Sequence, residues 1–471
     1  MSRERGHLPH VVVLGLGRQG VATARYFAAQ GVPVVVSDRQ PAHALERERM
    51  ALHGLDVHFE FGGHPLEMLE GASLLHLSGG IPGDLPIVEA ARKRGLRITN
   101  DSQLFLEISP ARVVGITGSA GKTTTTSLVG EMARAAAARG EIHAAWVGGN
   151  IGNPLLNEAA EMQSGDVAVM ELSSFQLEVM THSPQVAAVL NLSPNHLDRH
   201  GTMDAYRNAK SRILEFQHAQ DAAVLGWDSP ETRALAGRVR GGLTYFSIER
   251  SLQPEWGAAA FLEGEWICLS LRGETTRVLP AASVQLRGRH NLANAVAACA
   301  IALAAGFSPQ SMAQAIPGFR GVPHRLEHVA SIEGVDWYND SIATAPERAI
   351  AAMRSFDQPI VLLAGGRDKQ LPWEEWAQVV RSQVEHLVLF GEAAPLIRRA
   401  LGEIAPDARP RTVSAFAELG QAVGYAARVA KPGEVVLLAP GGTSFDQYRD
   451  FEERGEHYRL LVRGLQGKGK R

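Results

Sequence analysis

Gly118-Ser119-Ala120-Gly121-Lys122-Thr123-Thr124 follows an apolar, β-branched run and reads as a loop that enters a helix. Successive backbone N–H groups of such a loop can face phosphate oxygens, and a helix N-terminus adds positive potential. Lys122 would reach the β- and γ-phosphates, and the Thr123 hydroxyl would hold Mg²⁺. The longer pattern G-x-x-x-x-G-K-[ST] is not met, because Ile116 stands at its first glycine; the shorter G-x-x-G-K-T from Gly118 to Thr123 remains. Glu171 lies near the end of the apolar run 166–172, and His196 follows the run 187–192. Taken singly, Glu171 reads as a solvated strand-end carboxylate and His196 as a loop histidine bonded to backbone. Beside a phosphate loop, with Thr123, they can instead converge on a metal–phosphate cluster at one edge of a parallel sheet.

These groups need strands and helices to hold them. Residues 10–15 read as a strand, followed by Gly15-Leu16-Gly17-Arg18-Gln19-Gly20, a helix through Ala29, and a second strand ending at Asp38. That is the dinucleotide fingerprint. On its own it is equally a site for NAD(P), a site for another nucleotide-like ligand, or a plain βαβ turn whose glycines serve packing. A further strand, 72–77, leads into Ser78-Gly79-Gly80-Ile81-Pro82-Gly83, again a loop at a strand's carboxyl end. Lys122 to Ala138 reads as the helix after the phosphate loop, and Gly148-Gly149-Asn150-Ile151-Gly152 as a tight loop after the next strand.

Residues 206–216 read as a helix carrying Lys210, in isolation a solvated surface lysine. Between about 241 and 287 short strands suggest an antiparallel flap or sheet extension. Asn291 and Asn294 share a helix face at i,i+3, where amides could read an adenine edge or cap the helix. After Gly321, strands end at Asp340, near 364 and 390, and near 439, each followed by a polar loop. Pro346 suits a first helical turn, and a charged helix is expected to start near Ser444. The fold class is therefore α/β with three domains. Residues 1–106 and 321–471 are Rossmann-like. Residues 107–320 form a central P-loop ATPase-like parallel sheet with a small antiparallel extension.

Composition narrows the partners. The 471 residues are 45% hydrophobic and 21% charged with a net charge of −3, which disfavours broad capture of nucleic acid or anionic lipid. Cys268 and Cys299 lack metal or redox spacing and read as buried thiols of a cytosolic protein. The opening MSRERGHLPH has no apolar signal core. The uncharged stretch 291–319 is diluted by Asn, Pro and Ala, and is better read as a buried Ala-rich helix than as a membrane span.

Taken together, the loops resemble the Mur ligases, and within them the branch that adds glutamate to UDP-N-acetylmuramoyl-alanine. The most specific pieces are Gly148-Gly149-Asn150-Ile151-Gly152, Glu171-Leu172-Ser173-Ser174-Phe175-Gln176-Leu177-Glu178 and Asn195-His196-Leu197-Asp198-Arg199. Tyr206-Arg207-Asn208-Ala209-Lys210, His290-Asn291 with Asn294, and Pro323-His324-Arg325 add to them. The resemblance covers residues 15 to 458 and turns the first domain from NAD towards the UDP end of a substrate. It implies a cytoplasmic bacterial enzyme, monomeric, that uses ATP and Mg²⁺ to join D-glutamate to UDP-N-acetylmuramoyl-L-alanine through an acyl phosphate. By the same resemblance Gly118 to Thr124 hold the phosphates, and Lys122, Glu171, His196 and Lys210 are catalytic. Thr123, Glu171, His196 and Lys210 serve metal, Lys210 as a carbamate. Asn291, Asn294, Arg325 and Asp340 match nucleotide contacts. Arg18, Gln19, Asp38, Ser78 and Asn150 match the UDP-muramoyl substrate, and Thr344, Lys369, Ser444 and Phe445 the glutamate.

Two departures stand out. Ala120 replaces the family's usual Asn in the phosphate loop, where backbone does most of the work. Ile342 and Ala345 replace a Lys and an Asn beside the incoming glutamate, which leaves L-glutamate as the alternative substrate. An NAD-dependent oxidoreductase is the rival from another class, and it leaves Lys122, Glu171 and His196 without a role.

Overall fold

The computed structural model describes residues 9–194, 197–252, 257–286, 288–369, 371–405 and 407–466, with backbone alone at 197 and 198. His196 lies outside the described residues. The chain forms two compact units, residues 1–319 and 320–471.

The first unit carries two sheets. In the smaller, β1 (His10–Leu14), β2 (Val34–Asp38), β3 (Val57–Phe61), β4 (Ala72–Leu77) and β5 (Arg97–Thr99) run parallel in the order β3-β2-β1-β4-β5. The order reverses between β1 and β4, so the Gly15 and Ser78 loops meet at a topological switch point, where open α/β sheets take ligands.

The larger sheet holds nine strands: β6 (Arg112–Thr117), β7 (Ala145–Gly149), β8 (Val167–Glu171), β9 (Val186–Val189), β10 (Ala222–Gly226), β11 (Gly242–Ser247), β12 (Ala258–Glu263), β13 (Trp266–Leu271) and β14 (Glu274–Pro280). Their order is β14-β13-β12-β11-β10-β9-β6-β8-β7. The expected antiparallel region is a continuation of this sheet, and it turns antiparallel later than expected. β10, β11 and β12 still pair in parallel, and only β12-β13-β14 alternate. Helices Lys122–Ala138 and Arg289–Ala305 share one core with this sheet. The second is the Ala-rich part of the stretch 291–319 and is buried along most of its length, but the stretch is not one helix: it breaks at left-handed Gly306 before a short helix, Pro309–Ala315. Among the described residues no helix is long and apolar enough to cross a membrane. Cys268 and Cys299 are buried free thiols, and burial pushes Cys299 up to about 12.

The second unit is a six-stranded sheet of β15 (Glu327–Ile332), β16 (Val335–Asn339), β17 (Ile360–Gly365), β18 (Val384–Phe390), β19 (Thr412–Phe416) and β20 (Val435–Gly441). The order is β15-β16-β20-β17-β18-β19, with only the β15–β16 pair antiparallel. The adjacent strands β16, β20 and β17 bring the loops after Asn339, Gly441 and Gly365 to one edge.

The charged helix starts later than expected, at Phe451 rather than near Ser444. The Ser444 carbonyl instead closes an isolated turn, accepting from the N–H groups of Gln447 at 3.1 Å and Tyr448 at 2.8 Å. Asp450 then offers its carboxylate to the Glu453 N–H at 2.8 Å, so the helix begins where a side chain can take a first-turn donor.

Candidate active site

The phosphate loop is held from three sides. The Gly121 N-cap has a φ of +81°, and a Cβ there would fall 2.3 Å from Asn294 Oδ1, so both conformation and space call for glycine. Ser119 Oγ donates to the Ser193 carbonyl at 2.9 Å and lies 3.0 Å from the Tyr206 hydroxyl. Ala120 is gripped by Asn191, whose amide accepts from its N–H at 2.9 Å and donates to its carbonyl at 3.0 Å. The loop's geometry thus needs no side chain at position 120. Lys122 Nζ donates to the carbonyls of Gly118 at 2.9 Å and Ser119 at 3.3 Å, at the mouth of the loop. Thr123 and Thr124, both half-buried, follow in the first turn of helix Lys122–Ala138.

Beneath the loop, β6, β8 and β9 are neighbours, as their strand-end residues require. Glu171, only 2% exposed, accepts from Asn150 Nδ2 at 2.9 Å through Oε1, while buried Oε2 has no hydrogen-bond partner among the described residues. Lys210 is also 2% exposed rather than solvated, and donates to Thr117 Oγ1 at 3.3 Å. Burial first, then the Lys122 charge, pushes the Lys210 amine down to about 7 despite the opposing pull of Glu171. A buried carboxylate with a spare oxygen suits a hard cation held through oxygens. No group of three His, Cys, Asp or Glu side chains among the described residues forms a metal set by itself.

Asn291 is the third residue of its helix rather than the N-cap. The N-cap is Gly288, with no side-chain bond to the first turn. Asn291 accepts from Asn294 Nδ2 at 3.1 Å, and Asn294 in turn presses on Gly121.

At the switch point of the small sheet, Asp38 Oδ2 accepts from the Leu16 N–H at 2.8 Å. Ser78, buried, donates to the Gly15 carbonyl at 2.9 Å, and Gln19 Oε1 accepts from the Gly79 N–H at 2.7 Å. Arg18 Nη1 donates to the Gly152 carbonyl at 3.2 Å, tying this loop to the one that bears Asn150. Three of the expected substrate residues, Gln19, Asp38 and Ser78, therefore brace the loops themselves.

In the second unit Lys369 Nζ stands 3.4 Å from Thr344 Oγ1. Asp340 is buried, accepts from the Leu326 N–H at 3.0 Å, and is raised by burial to about 6, with Arg325 and Arg348 opposing the rise. Ser444 is 2% exposed, whereas Phe445 is 61% exposed. Sequence reasoning missed Arg454, which is fully buried. Its Nε donates to Ser341 Oγ at 3.0 Å, Nη2 to the Ser341 carbonyl at 2.9 Å and Nη1 to the Gly442 carbonyl at 3.2 Å. It also missed Asn191. The available signal for Arg454 was its helical phase with Tyr458 and Val462, both fully buried.

Comparison with known proteins gives three collinear family matches. Residues 9–100 match a Mur ligase MurD-like N-terminal domain, 116–302 a Mur ligase middle domain, and 324–442 a Mur ligase glutamate ligase domain. A UDP-N-acetylmuramoylalanine–D-glutamate ligase of Symbiobacterium thermophilum is 41% identical over 96% of this chain and 97% of its own. The chain belongs to the Mur ligase family. A second D-glutamate ligase, from Pelotomaculum thermopropionicum, is 38% identical over 97% of both chains. A Thermotoga maritima UDP-N-acetylmuramate-alanine ligase shares the fold, with a TM-score of 0.56, 18% identity, and coverage of 97% of this chain and 99% of that one. The Gly15 fingerprint of this Mur ligase thus lies in a domain matched to ligases, and the oxidoreductase alternative falls.

Proposed function

We propose that this Mur ligase joins D-glutamate to UDP-N-acetylmuramoyl-L-alanine, with ATP converted to ADP and phosphate, as a monomer in the bacterial cytoplasm. The observation that carries the reading is the near-full-length match to relatives named as D-glutamate ligases, and those names favour the D- over the L-enantiomer.

The residues divide the work by position. An oxygen of the alanyl carboxylate attacks the γ-phosphorus, an O–P bond forms, and the bond to the β-phosphate oxygen breaks to release ADP. Lys122 and the loop N–H groups neutralise charge on the transferring group, and Asn294 and Asn191 keep the loop in shape. The amine nitrogen of glutamate then attacks the acyl carbon, loses a proton, and phosphate leaves through a tetrahedral intermediate. Thr123 and Glu171 would hold one Mg²⁺, and His196 and Lys210 a second. The metal's contribution is Lewis-acid stabilisation of phosphoryl charge.

Lys210 suits carbamate formation: its neutral amine attacks CO₂, a C–N bond forms, the carbonyl electron pair moves to oxygen, and a proton leaves. Asn291, Asn294, Arg325 and Asp340 are assigned to the nucleotide. Arg18, Gln19, Asp38, Ser78 and Asn150 serve the UDP-muramoyl substrate, and Thr344, Lys369, Ser444 and Phe445 the glutamate.

The test is phosphate release by the purified chain. It should require ATP, UDP-N-acetylmuramoyl-L-alanine and D-glutamate together, and fall by orders of magnitude in Lys122→Ala. Full-rate ATP hydrolysis without the muramoyl substrate would refute the ligase reading. Light scattering at assay concentration should return a mass near 50.7 kDa.

A further inference from the structure

Glutamate brings two carboxylates, and a desolvated anion needs donors or positive charge around each. Lys369 is one cation at the edge formed by β16, β20 and β17. Ile342, in the first of the three loops, can donate nothing from its side chain. A second cation is present one turn further along.

Arg348 is the third residue of helix Pro346–Met353, whose N-cap is Ala345 in extended conformation without a side-chain cap. Helical side chains lean back towards the N-terminus, so a long side chain at this position can turn towards the N-cap and the residue before it. Here those are Ala345, which has nothing to fill that space, and Thr344, whose hydroxyl stands beside Lys369 Nζ. The same helix start lies against the β20 loop: a Cβ on Gly441 would sit 3.8 Å from Pro346 Cα, and the Gly441 N–H donates to the Ala343 carbonyl at 2.8 Å. Arg348 is exposed, and among the described residues its guanidinium makes no hydrogen bond or ion pair. Its charge is nevertheless felt by both Lys369 and Asp340. A like charge acting on Lys369 disfavours its charged form, and a bound carboxylate shared by the two cations offsets that cost.

We propose that Arg348 is a glutamate-binding residue of this enzyme, closing on one substrate carboxylate while Lys369 takes the other. The assignment rests on the ligase reading above and adds to it the residue that supplies the charge Ile342 cannot.

Steady-state kinetics of the full chain with ATP, UDP-N-acetylmuramoyl-L-alanine and D-glutamate test it. Arg348→Gln should raise KM for D-glutamate about tenfold or more, the scale of one lost charge-assisted hydrogen bond. The KM values for ATP and the muramoyl substrate should stay within about twofold of wild type, the span left to groups that do not touch them. Arg348→Lys should recover part of the loss, because charge is retained and the fork is not. An unchanged glutamate KM in Arg348→Gln would overturn the assignment, as would an equal rise for all three substrates. Wild-type turnover that does not saturate with glutamate would instead overturn the ligase reading itself.

Discussion

Asn191 holds the backbone of Ala120 by both of its amide atoms, at 2.9 Å and 3.0 Å. One side chain from the end of β9 thus fixes the phosphate loop at the position where the family usually has Asn. Asn191→Ala should free that peptide, raise KM for ATP and lower kcat, together by about tenfold or more for two lost hydrogen bonds. Ala120→Asn should leave kcat/KM within about threefold of wild type, because an exposed side chain adds no required contact. Nucleotide titration and turnover assays of the two variants check this, with thermal melts to confirm that both are folded.

Lys210→Ala should be nearly inactive, and acetate or formate should restore part of the rate by supplying the missing carboxylate oxygens. Enzyme equilibrated with ¹³C-bicarbonate should show a carbamate resonance that Lys210→Ala lacks. A bare amine in fully active, Mg²⁺-bound enzyme would refute the modification.

Asp101 gives stability a pH dependence. Burial raises its carboxyl from 3.8 to about 7, against donation from Gln19 and Gln176. The folded value lies above the unfolded one, so its contribution is complete below pH 3.8 and is lost as pH rises through about 7. Asp101→Asn keeps the shape without the charge. Its gain in Tm over wild type should be several degrees larger at pH 8 than at pH 5, measured by calorimetry across that range.

The proposed glutamate site, in the loops after β16, β17 and β20, predicts two outcomes. Lys369→Ala should raise KM for D-glutamate while leaving the other two KM values near wild type, and uniform loss would give Lys369 another role. Ile342→Lys should shift the ratio of kcat/KM for D- over L-glutamate, measured with each enantiomer in turn. An unchanged ratio would place the determinant elsewhere in the loops.

Sequence reading reached the helix Lys122–Ala138 and the strand Ala72–Leu77 to the residue, because a glycine loop or an apolar run marks both ends of the signal. It failed where burial depends on a distant partner. The helix Phe451–Gln466 carries three arginines, Arg454, Arg459 and Arg463; phase with Tyr458 and Val462 puts Arg454 on the buried side, but the carbonyls that it bonds there come from distant segments. Lys210 looked solvated by composition, and the phase of its helix, shared with Tyr206 and Ile213 on the buried side, was the better guide. The late start of the last helix turned on one local competition, the Ser444 carbonyl closing a turn before Asp450 could begin the helix.

Arg454 reaches three strand ends at once. It bonds Ser341 after β16 and Gly442 after β20, and lies so near Gly366 after β17 that a Cβ there would fall 2.9 Å from Nη1. These three loops are therefore not separate modules. Exchanging any one of them with another ligase, to change which amino acid is added, transplants a surface whose keystone sits in a different segment of chain. Chimeras of this domain should be cut so that residues 341, 366, 442 and 454 come from one parent.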